Sequence, residues 1–453
     1  MTDTTFGALG VPKPLLTVLA ADGKTTPFPI QTATLRDSLA GRDILGRGKT
    51  GSGKTLAFAI PLVARLAARG SGRSQAGHPR GLILAPTREL ATQIDAVVRP
   101  LARAYGMTTM TIFGGVPQGR QVSALRGGAD IVVACPGRLE DLMKQRHVHL
   151  DAVEVTVIDE ADHMADLGFL PGVTRILGAT PARGHRMLFS ATLDGGVNTI
   201  VKRFLTNPLT HSVDEANSPV AQMTHHVFHL DGADAKREMI HALASGQGRR
   251  ILFMRTKHHA KKLAKQLNQS GIPAVDLHGN LAQGARDRNL AAFGSGAVRV
   301  LVATDVAARG VHVDDVQLVV HVDPPMEHKA YLHRSGRTAR AGAAGDVVTL
   351  VLPEQRRDTT TLLRKAAITA TPQRVNARSP EVGALIGERA AHVPYVAPAV
   401  RPSGGGKPRR APGGNSRGAR RGAPAVHRAR QGGGRTRSAA DFSRSTSGGR
   451  GGR

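Results

Sequence analysis

The residues with the most explicit chemistry are Gly48, Lys49, Thr50, Gly51, Ser52, Gly53, Lys54 and Thr55, which fit the spacing G-x-x-x-x-G-K-[ST]. Glycines at these positions let backbone N–H groups wrap a phosphate chain, Lys54 can reach the β and γ oxygens, and the Thr55 hydroxyl can ligate Mg²⁺. Such a loop needs an acidic partner for the metal at the end of an apolar strand. Val155-Thr156-Val157-Ile158 runs into Asp159-Glu160-Ala161-Asp162 and supplies one. Asp159 would hold the ion through water, and Glu160 would stand beside the attacking water as base or orienter. Alone, an acidic cluster after a strand is an ordinary solvated helix start, because carboxylates suit helix N-termini. Downstream of a phosphate loop it reads as phosphoryl-transfer machinery, with ATP and Mg²⁺ as the expected ligands.

These side chains need strands that deliver them to a common edge. Asp43-Ile44-Leu45 predicts a short strand before the loop, and Leu56 to Ala68 predicts a helix after it. Further strands are expected at Gly81 to Ala85, Ile131 to Ala134 and Met187 to Phe189, then at Ile251 to Phe253, Val298 to Ala303, Leu318 to Val320 and Val347 to Leu352. Continuous apolar strands separated by helical patterns indicate parallel sheets covered on both faces, hence an α/β fold. Residues 209–220 lack either periodicity and follow Asn207-Pro208, so they read as a linker between a first domain (1–208) and a second (221–370). Residues 69–80 read as a surface excursion. No repeat of solenoid length is visible.

The chain has 453 residues and a net charge of +28, a balance that favours a polyanionic partner. Residues 401–453 hold thirteen arginines and one lysine against Asp441, with fourteen glycines and almost no aliphatic side chains. Such a stretch cannot bury enough apolar surface to offset its ordering entropy, so residues 371–453 are expected to be a disordered basic tail. No apolar run approaches the length of a membrane span, and the N-terminal residues do not resemble a secretory signal. The single cysteine, Cys135, excludes an internal disulfide framework. A reducing, cytoplasmic setting is expected. Rich Gly, Ala and Arg usage with no tryptophan suggests a G+C-rich bacterial genome.

Asp159-Glu160-Ala161-Asp162 is also the name-giving motif of the DEAD-box RNA helicases, and the chain resembles that family from about residue 6 to 370. The resemblance implies two RecA-like P-loop domains. Pro27-Phe28-Pro29-Ile30-Gln31 resembles the family's Q motif, in which Gln31 would read adenine and Phe6 would stack on it. Lys24 departs from the aromatic usual after Gly23. Pro86, Thr87 and Arg88, then Gly115, then Gly137 and Arg138, resemble the first domain's RNA-backbone elements. Taken singly, each of these is more often a turn or a helix cap. Cys135 stands where the family commonly has threonine. Ser190 and Thr192 resemble the motif that, with Asp162, couples hydrolysis to RNA.

In the second half, His333-Arg334-Ser335-Gly336-Arg337-Thr338-Ala339-Arg340 resembles the arginine-finger motif. There Arg337 and Arg340 would stabilise charge on the γ-phosphate, and His333 would couple the sites. Ala303 to Gly310 resembles the element linking ATP and RNA, with Thr304 on phosphate, Asp305 coupling and Gly310 near the nucleotide. Thr256, Gly279, Gln283 and Arg286 match the remaining RNA-facing positions. His312 replaces the usual aspartate for the ribose, which implies weaker ribose recognition.

The resemblance therefore implies an ATP-dependent RNA helicase, expected as a monomer, that remodels RNA which is structured or double-stranded with single-stranded segments. Association with ribonucleoprotein particles or ribosome precursors would follow from such a substrate. The alternatives are an RNA clamp or chaperone that hydrolyses ATP without strand release, and a DNA-directed P-loop motor.

Overall fold

A run such as Leu82-Ile83-Leu84 can be apolar throughout only if both faces of its sheet are covered. The computed structural model describes residues 4–48, 51–70, 74–193, 195–213, 223–308, 313, 315–339 and 344–395. Two seven-stranded sheets follow one another along the chain. The first contains β1 (Ile44–Arg47), β2 (Gly81–Leu84), β3 (Thr109–Ile112), β4 (Ile131–Ala134), β5 (Val155–Ile158), β6 (His185–Ser190) and β7 (Leu209–Ser212), in the order β3-β4-β2-β5-β6-β1-β7. The second contains β8 (Met223–His229), β9 (Arg249–Phe253), β10 (Ala274–Leu277), β11 (Val300–Ala303), β12 (Val316–His321), β13 (Gly345–Val351) and β14 (Pro372–Arg374), in the order β10-β11-β9-β12-β13-β8-β14. All these pairings are parallel.

The two-residue alternation of side chains splits each core in two. Ile83, Val133, Val157 and Phe189 face the helices Lys54–Ala68 and Arg88–Arg103. Their neighbours Leu82, Val132, Ile158 and Leu188 face the helices Pro136–Lys144, Leu170–Gly178 and Gly195–Phe204. The second sheet repeats the arrangement, with Leu252, Val302 and Val320 on one face and Ile251, Leu301 and Val319 on the other. Because the strands are parallel, the segments that follow them emerge along one edge of each sheet. Gly48, Pro86, Cys135 and Asp159 share the first edge, while Met254, His278 and Thr304 share the second. That is the edge at which open α/β sheets bind ligands.

Two expectations need correction. Residues 209–212 are not linker: β7 pairs with β1 at the border of the first sheet, with Leu209 opposite Ile44. Residues 214–222 lie outside the described residues. The excursion at 69–80 holds no helix or strand among its described residues and is anchored, because Asp130 accepts from the Ser74 N–H and hydroxyl at 3.0 and 2.8 Å and Glu154 accepts from Arg80 at 2.5 Å. Finally, the folded part does not stop near 370 but continues through the described residues to Tyr395. β14 pairs with β8, and the helix Pro380–Ile386 buries Val382 and Ile386 in the second core. The Arg250 guanidinium, almost fully buried, donates to the carbonyls of Leu243, Leu385 and Ile386, and burial pulls it down to about 10. The basic tail beyond 396 lies outside the described residues.

A truncation experiment follows. Ending the chain at residue 370 removes two buried aliphatic side chains, worth about 1.5–3 kcal/mol each, and strands part of the Arg250 hydrogen-bonding capacity. The thermal midpoint should fall by roughly 2–4 °C for each kcal/mol lost. Ending the chain at residue 396 should leave it unchanged. Equal midpoints for the two truncations in calorimetry would mean that the 371–395 segment contributes nothing to the fold.

Candidate active site

The phosphate loop joins β1 to the helix Lys54–Ala68. Gly53 caps that helix with φ 87°, a left-handed conformation that glycine adopts without a Cβ penalty. A Cβ there would also stand 2.6 Å from Gln31 Nε2. Gln31 is 1% exposed and holds two elements together. Its Oε1 accepts from the Phe28 N–H at 2.9 Å, and its Nε2 donates to the Gly53 carbonyl at 2.8 Å. The remaining proton and lone pair of the amide form the donor and acceptor pair that an adenine edge requires. Lys54 Nζ donates to the Gly48 carbonyl at 2.6 Å. Ser52 Oγ is buried with no partner among the described residues. A cavity of about 520 Å³ lies here, lined by Phe6, Lys24, Gln31, Gly53, Lys54, Thr55, Asp159 and Glu160. Lys49 and Thr50 lie outside the described residues.

At the end of β5, the Asp159 N–H donates to the Leu84 carbonyl, and its Oδ1 accepts from the Glu160 N–H at 3.0 Å. Glu160 takes left-handed backbone angles, φ 50° and ψ 52°, rare for a side chain other than glycine and found at sites where other contacts enforce it. Its Oε2 accepts from His163 Nδ1 at 3.1 Å. Burial alone would favour protonation. For Glu160 the hydrogen bond from His163 and the charges of His163, Arg337 and Lys54 outweigh burial and hold the carboxyl well below the usual range. For Asp159 burial wins, Lys54 opposes it, and the charges of Glu160 and Asp162 add to it, pushing the group up to about 7.

Asp162 forms a hub. Its Oδ2 accepts from the Thr192 N–H at 2.9 Å and the Thr192 hydroxyl at 3.1 Å, while its own N–H donates to Ser190 Oγ at 3.2 Å. The three residues expected to couple hydrolysis to RNA in the first domain are therefore directly bonded.

The second sheet contributes from across the cleft. Arg337, 4% exposed, donates to the His333 carbonyl at 3.1 Å and lies near enough to Glu160 to stabilise its charge. The His333 ring is 6.4 Å from that of His163. Asp305 pairs with Arg334, whose Nη2 donates to Asp305 Oδ2 at 2.8 Å while Nη1 reaches the Asp323 carbonyl at 2.7 Å. Arg334 also lies 5.2 Å over the Phe253 ring. Gly310, His312 and Arg340 lie outside the described residues.

Residues 28–200 match the model of the DEAD/DEAH box helicases, and residues 234–342 match the helicase conserved C-terminal domain. The ATP-dependent RNA helicase RhlB of Pseudomonas syringae pv. tomato is 39% identical over 323 residues, which are 70% of this chain and 81% of that protein. The chain belongs to the DEAD-box helicase family. SrmB, an ATP-dependent RNA helicase of Escherichia coli, is 38% identical over 78% of this chain and 79% of its own length. Many plant relatives are longer. The chain spans about half of them, 57% of a mitochondrial DEAD-box helicase of Arabidopsis thaliana and 48% of a chloroplastic one of Zea mays. Among solved structures, S. cerevisiae Dbp5 bound to RNA and ADP BeF3 superposes with a TM-score of 0.70 at 26% identity, over 84% of this chain and 100% of that one. Mss116p bound to ssRNA and AMP-PNP gives 0.71 at 26% identity, over 85% and 82%. Both matches cover the two sheets, so the α/β fold with two RecA-like domains is that of the family.

In this member of the DEAD-box family the residues expected to face RNA divide into two sets. Gly115, Gly137, Thr256 and Gly279 are exposed, while Thr87, Arg138 and Thr304 are half-buried. Thr87 and Thr256 act as N-caps, accepting from Leu90 and His259 N–H groups at 3.2 Å. Arg138 donates to the Val116 carbonyl, and Pro86 is buried. The second set bridges the two halves. Arg88 Nη1 donates to Gln283 Oε1 at 2.8 Å, and Arg286 donates to Glu89 at 2.8 Å. Arg286 is 9% exposed and also reaches the His278 and Ala307 carbonyls, so its guanidinium is engaged with protein and not with an open RNA face. At Cys135, burial and then Glu89 push the thiol up to about 12 against Arg88, so it is a neutral, weak donor where a hydroxyl was expected.

Sequence reasoning missed Glu89, Arg334 and His163. For Glu89 and Arg334 the signal was present, since each adjoins a residue already singled out, but the partner could not be read locally. For His163, one turn beyond Glu160, the i,i+3 spacing on a helix start was the available clue.

Proposed function

We propose that this chain is an ATP-dependent RNA helicase that binds ATP in the cleft and RNA across the exposed edges of both sheets, and couples hydrolysis to local strand separation. The observation that carries the reading is the convergence of Gln31, Lys54, Asp159 and Glu160 on one cavity, with Arg337, from some three hundred residues beyond Gln31, close enough to Glu160 to stabilise its charge. The cavity volume suits a nucleotide-sized ligand. An unpartnered buried Ser52 hydroxyl and the positive φ of Gly51 and Gly53 are what a phosphate cradle requires.

A Mg²⁺ ion fits the same residues. Asp159, Glu160 and Asp162 crowd negative charge into a buried space, and Asp159 is driven toward protonation when no cation relieves it. Among the described residues no group of three or more His, Cys, Asp or Glu side chains is arranged to hold a metal. An ion here would thus take most of its ligands from phosphate and water, as Mg²⁺ commonly does, with Thr55 and Asp159 as the protein's share. Such an ion supplies charge neutralisation to the transferred phosphoryl group.

In this reading Glu160, kept ionised by His163, orients the attacking water and takes its proton. Lys54 stabilises the β and γ oxygens, and Arg337 with Arg340 stabilises charge developing on the far side. Asp162 relays the state of the site to Ser190 and Thr192. Thr87, Arg88, Gly115, Gly137, Arg138, Thr256, Gly279 and Thr304 supply the RNA contacts, and the Arg88–Gln283 and Glu89–Arg286 bonds join the halves. Among the described residues no helix is long and apolar enough to cross a membrane.

The test is release of a short RNA duplex by purified protein with ATP, alongside hydrolysis stimulated by RNA and by DNA. Strand release with RNA-selective stimulation supports the helicase. RNA-stimulated hydrolysis without release would make the protein a clamp, and equal stimulation by DNA would remove the RNA assignment.

A further inference from the structure

The helix Lys257–Gln269 follows β9 directly and is capped by Thr256, so it starts at the ligand-binding edge of the second sheet. Its inner face is spent on the core: Ala260, Leu263, Ala264 and Leu267 are buried. Its outer face carries Lys257, Lys261, Lys262 and Lys265, all exposed, and the helix holds no acidic residue. Lys257, Lys261 and Lys265 stand four residues apart, about 6 Å per step, in a row roughly 12 Å long. Like charges at this spacing weaken a helix. Several other cations of the second domain have acidic partners, as in Lys236–Asp323, Arg249–Asp315 and Arg334–Asp305. Among the described residues, no ion pair includes Lys261, Lys262 or Lys265. Lys257 Nζ donates to Asn280 Oδ1 at 3.1 Å, a neutral acceptor next to the exposed Gly279.

We propose that this lysine row binds the phosphate backbone of RNA that runs on past the cleft, extending the footprint down the flank of the second domain. A row of one sign with no internal partner suits a regularly spaced polyanion. A lipid surface is the poorer fit, because the outer face, where the exposed His258 and His259 join the lysines, has no aliphatic, Phe, Tyr or Trp side chain to insert. RNA leaving the expected contacts at Thr256 and Gly279 meets Lys257 first and the remaining lysines after it. The inference rests on the proposed function, and it makes a claim of its own: the contribution of the row depends on RNA length.

The experiment compares the full chain with its Lys261→Gln, Lys262→Gln, Lys265→Gln triple variant, using poly(U) oligomers of graded length over a salt series. Glutamine keeps helix propensity and leaves the Lys257–Asn280 contact intact. Binding of the longer oligomers should weaken about tenfold at low salt, and the slope of log K against log salt should become shallower by about 2, at roughly 0.7 per lost phosphate contact. Binding of the shortest oligomers should be unaffected. Equal affinities and slopes for the two proteins on long RNA overturn the inference and leave the row to another polyanion, such as an acidic protein surface. Equal weakening at every length also overturns it, by placing the lysines inside the cleft's own contact set. A wild-type chain that binds no RNA of any length overturns the proposed function and this inference together.

Discussion

Replacing Glu160 by glutamine should lower RNA-stimulated ATP hydrolysis by roughly 10²-fold or more, the range for loss of a positioned general base. The amide keeps the shape of the side chain and can still accept a hydrogen bond from His163 Nδ1, which now stands 3.1 Å from Oε2. It cannot accept the proton of an attacking water. ATP and RNA binding should therefore persist, and the protein should accumulate on RNA with unhydrolysed nucleotide. Single-turnover hydrolysis with RNA-binding measurements separates the two effects. A variant that turns over at the wild-type rate would remove Glu160 from the base role. A variant that loses ATP binding would show that the left-handed turn at Glu160 needs the carboxylate to form.

The second large effect is expected at the Glu89–Arg286 pair. Both residues are about 9% exposed, and they lie on helices of different halves, Arg88–Arg103 and Gln283–Gly294. Removing one partner of a buried pair leaves the other charge desolvated and uncompensated, at about 3–5 kcal/mol. Arg286→Met should thus disfavour the bridged arrangement strongly enough to reduce RNA-stimulated hydrolysis by about 10²-fold or more, at one factor of ten per 1.4 kcal/mol. The thermal midpoint of each half should change little, because the penalty can be escaped by separating the halves. Glu89→Gln combined with Arg286→Met removes both charges, and should recover part of the lost rate. A double-mutant cycle on the RNA-stimulated rate measures the coupling. Additive losses would mean that the pair does not stabilise the working state.

Much of the site was legible because strand-end motifs are local. A P-loop, an acidic cluster after a short buried strand and a Gln near an N-cap each carry their function within a few positions. What was not legible depends on pairing over distance. Arg286 was assigned to RNA by its place in a motif that resembles the family's, and nothing local pointed to its carboxylate partner 197 positions away. Arg334 was passed over for the same reason, since Asp305 and the Asp323 carbonyl come from two other strand ends. The fold shows a parallel pattern. The strands read in advance are interior ones, apolar because they are covered twice. The four that border the sheets, β3, β7, β10 and β14, escaped notice, and so did the interior β8, whose Met223-Thr224-His225-His226 half is mostly polar and only partly buried. Thr109-Met110-Thr111-Ile112 alternates, Leu209-Thr210-His211-Ser212 is half-exposed, and Pro372-Gln373-Arg374 is exposed throughout. An edge strand needs only one neighbour and one covered face, so its sequence need not announce it.

β14 has a consequence for how the protein behaves in a crowded solution. Without it, the backbone of β8 alongside Val227 and Phe228 would present a free row of donors and acceptors to any passing extended chain. With it, the outermost strand is only three residues long, opens with a proline that has no N–H to offer, and ends in the positive charge of Arg374. A second copy of the chain approaching this rim finds little to zip onto. The short strand thus acts as a gatekeeper against self-association, and a preparation cut just before it should associate in a concentration-dependent way that the full chain does not show.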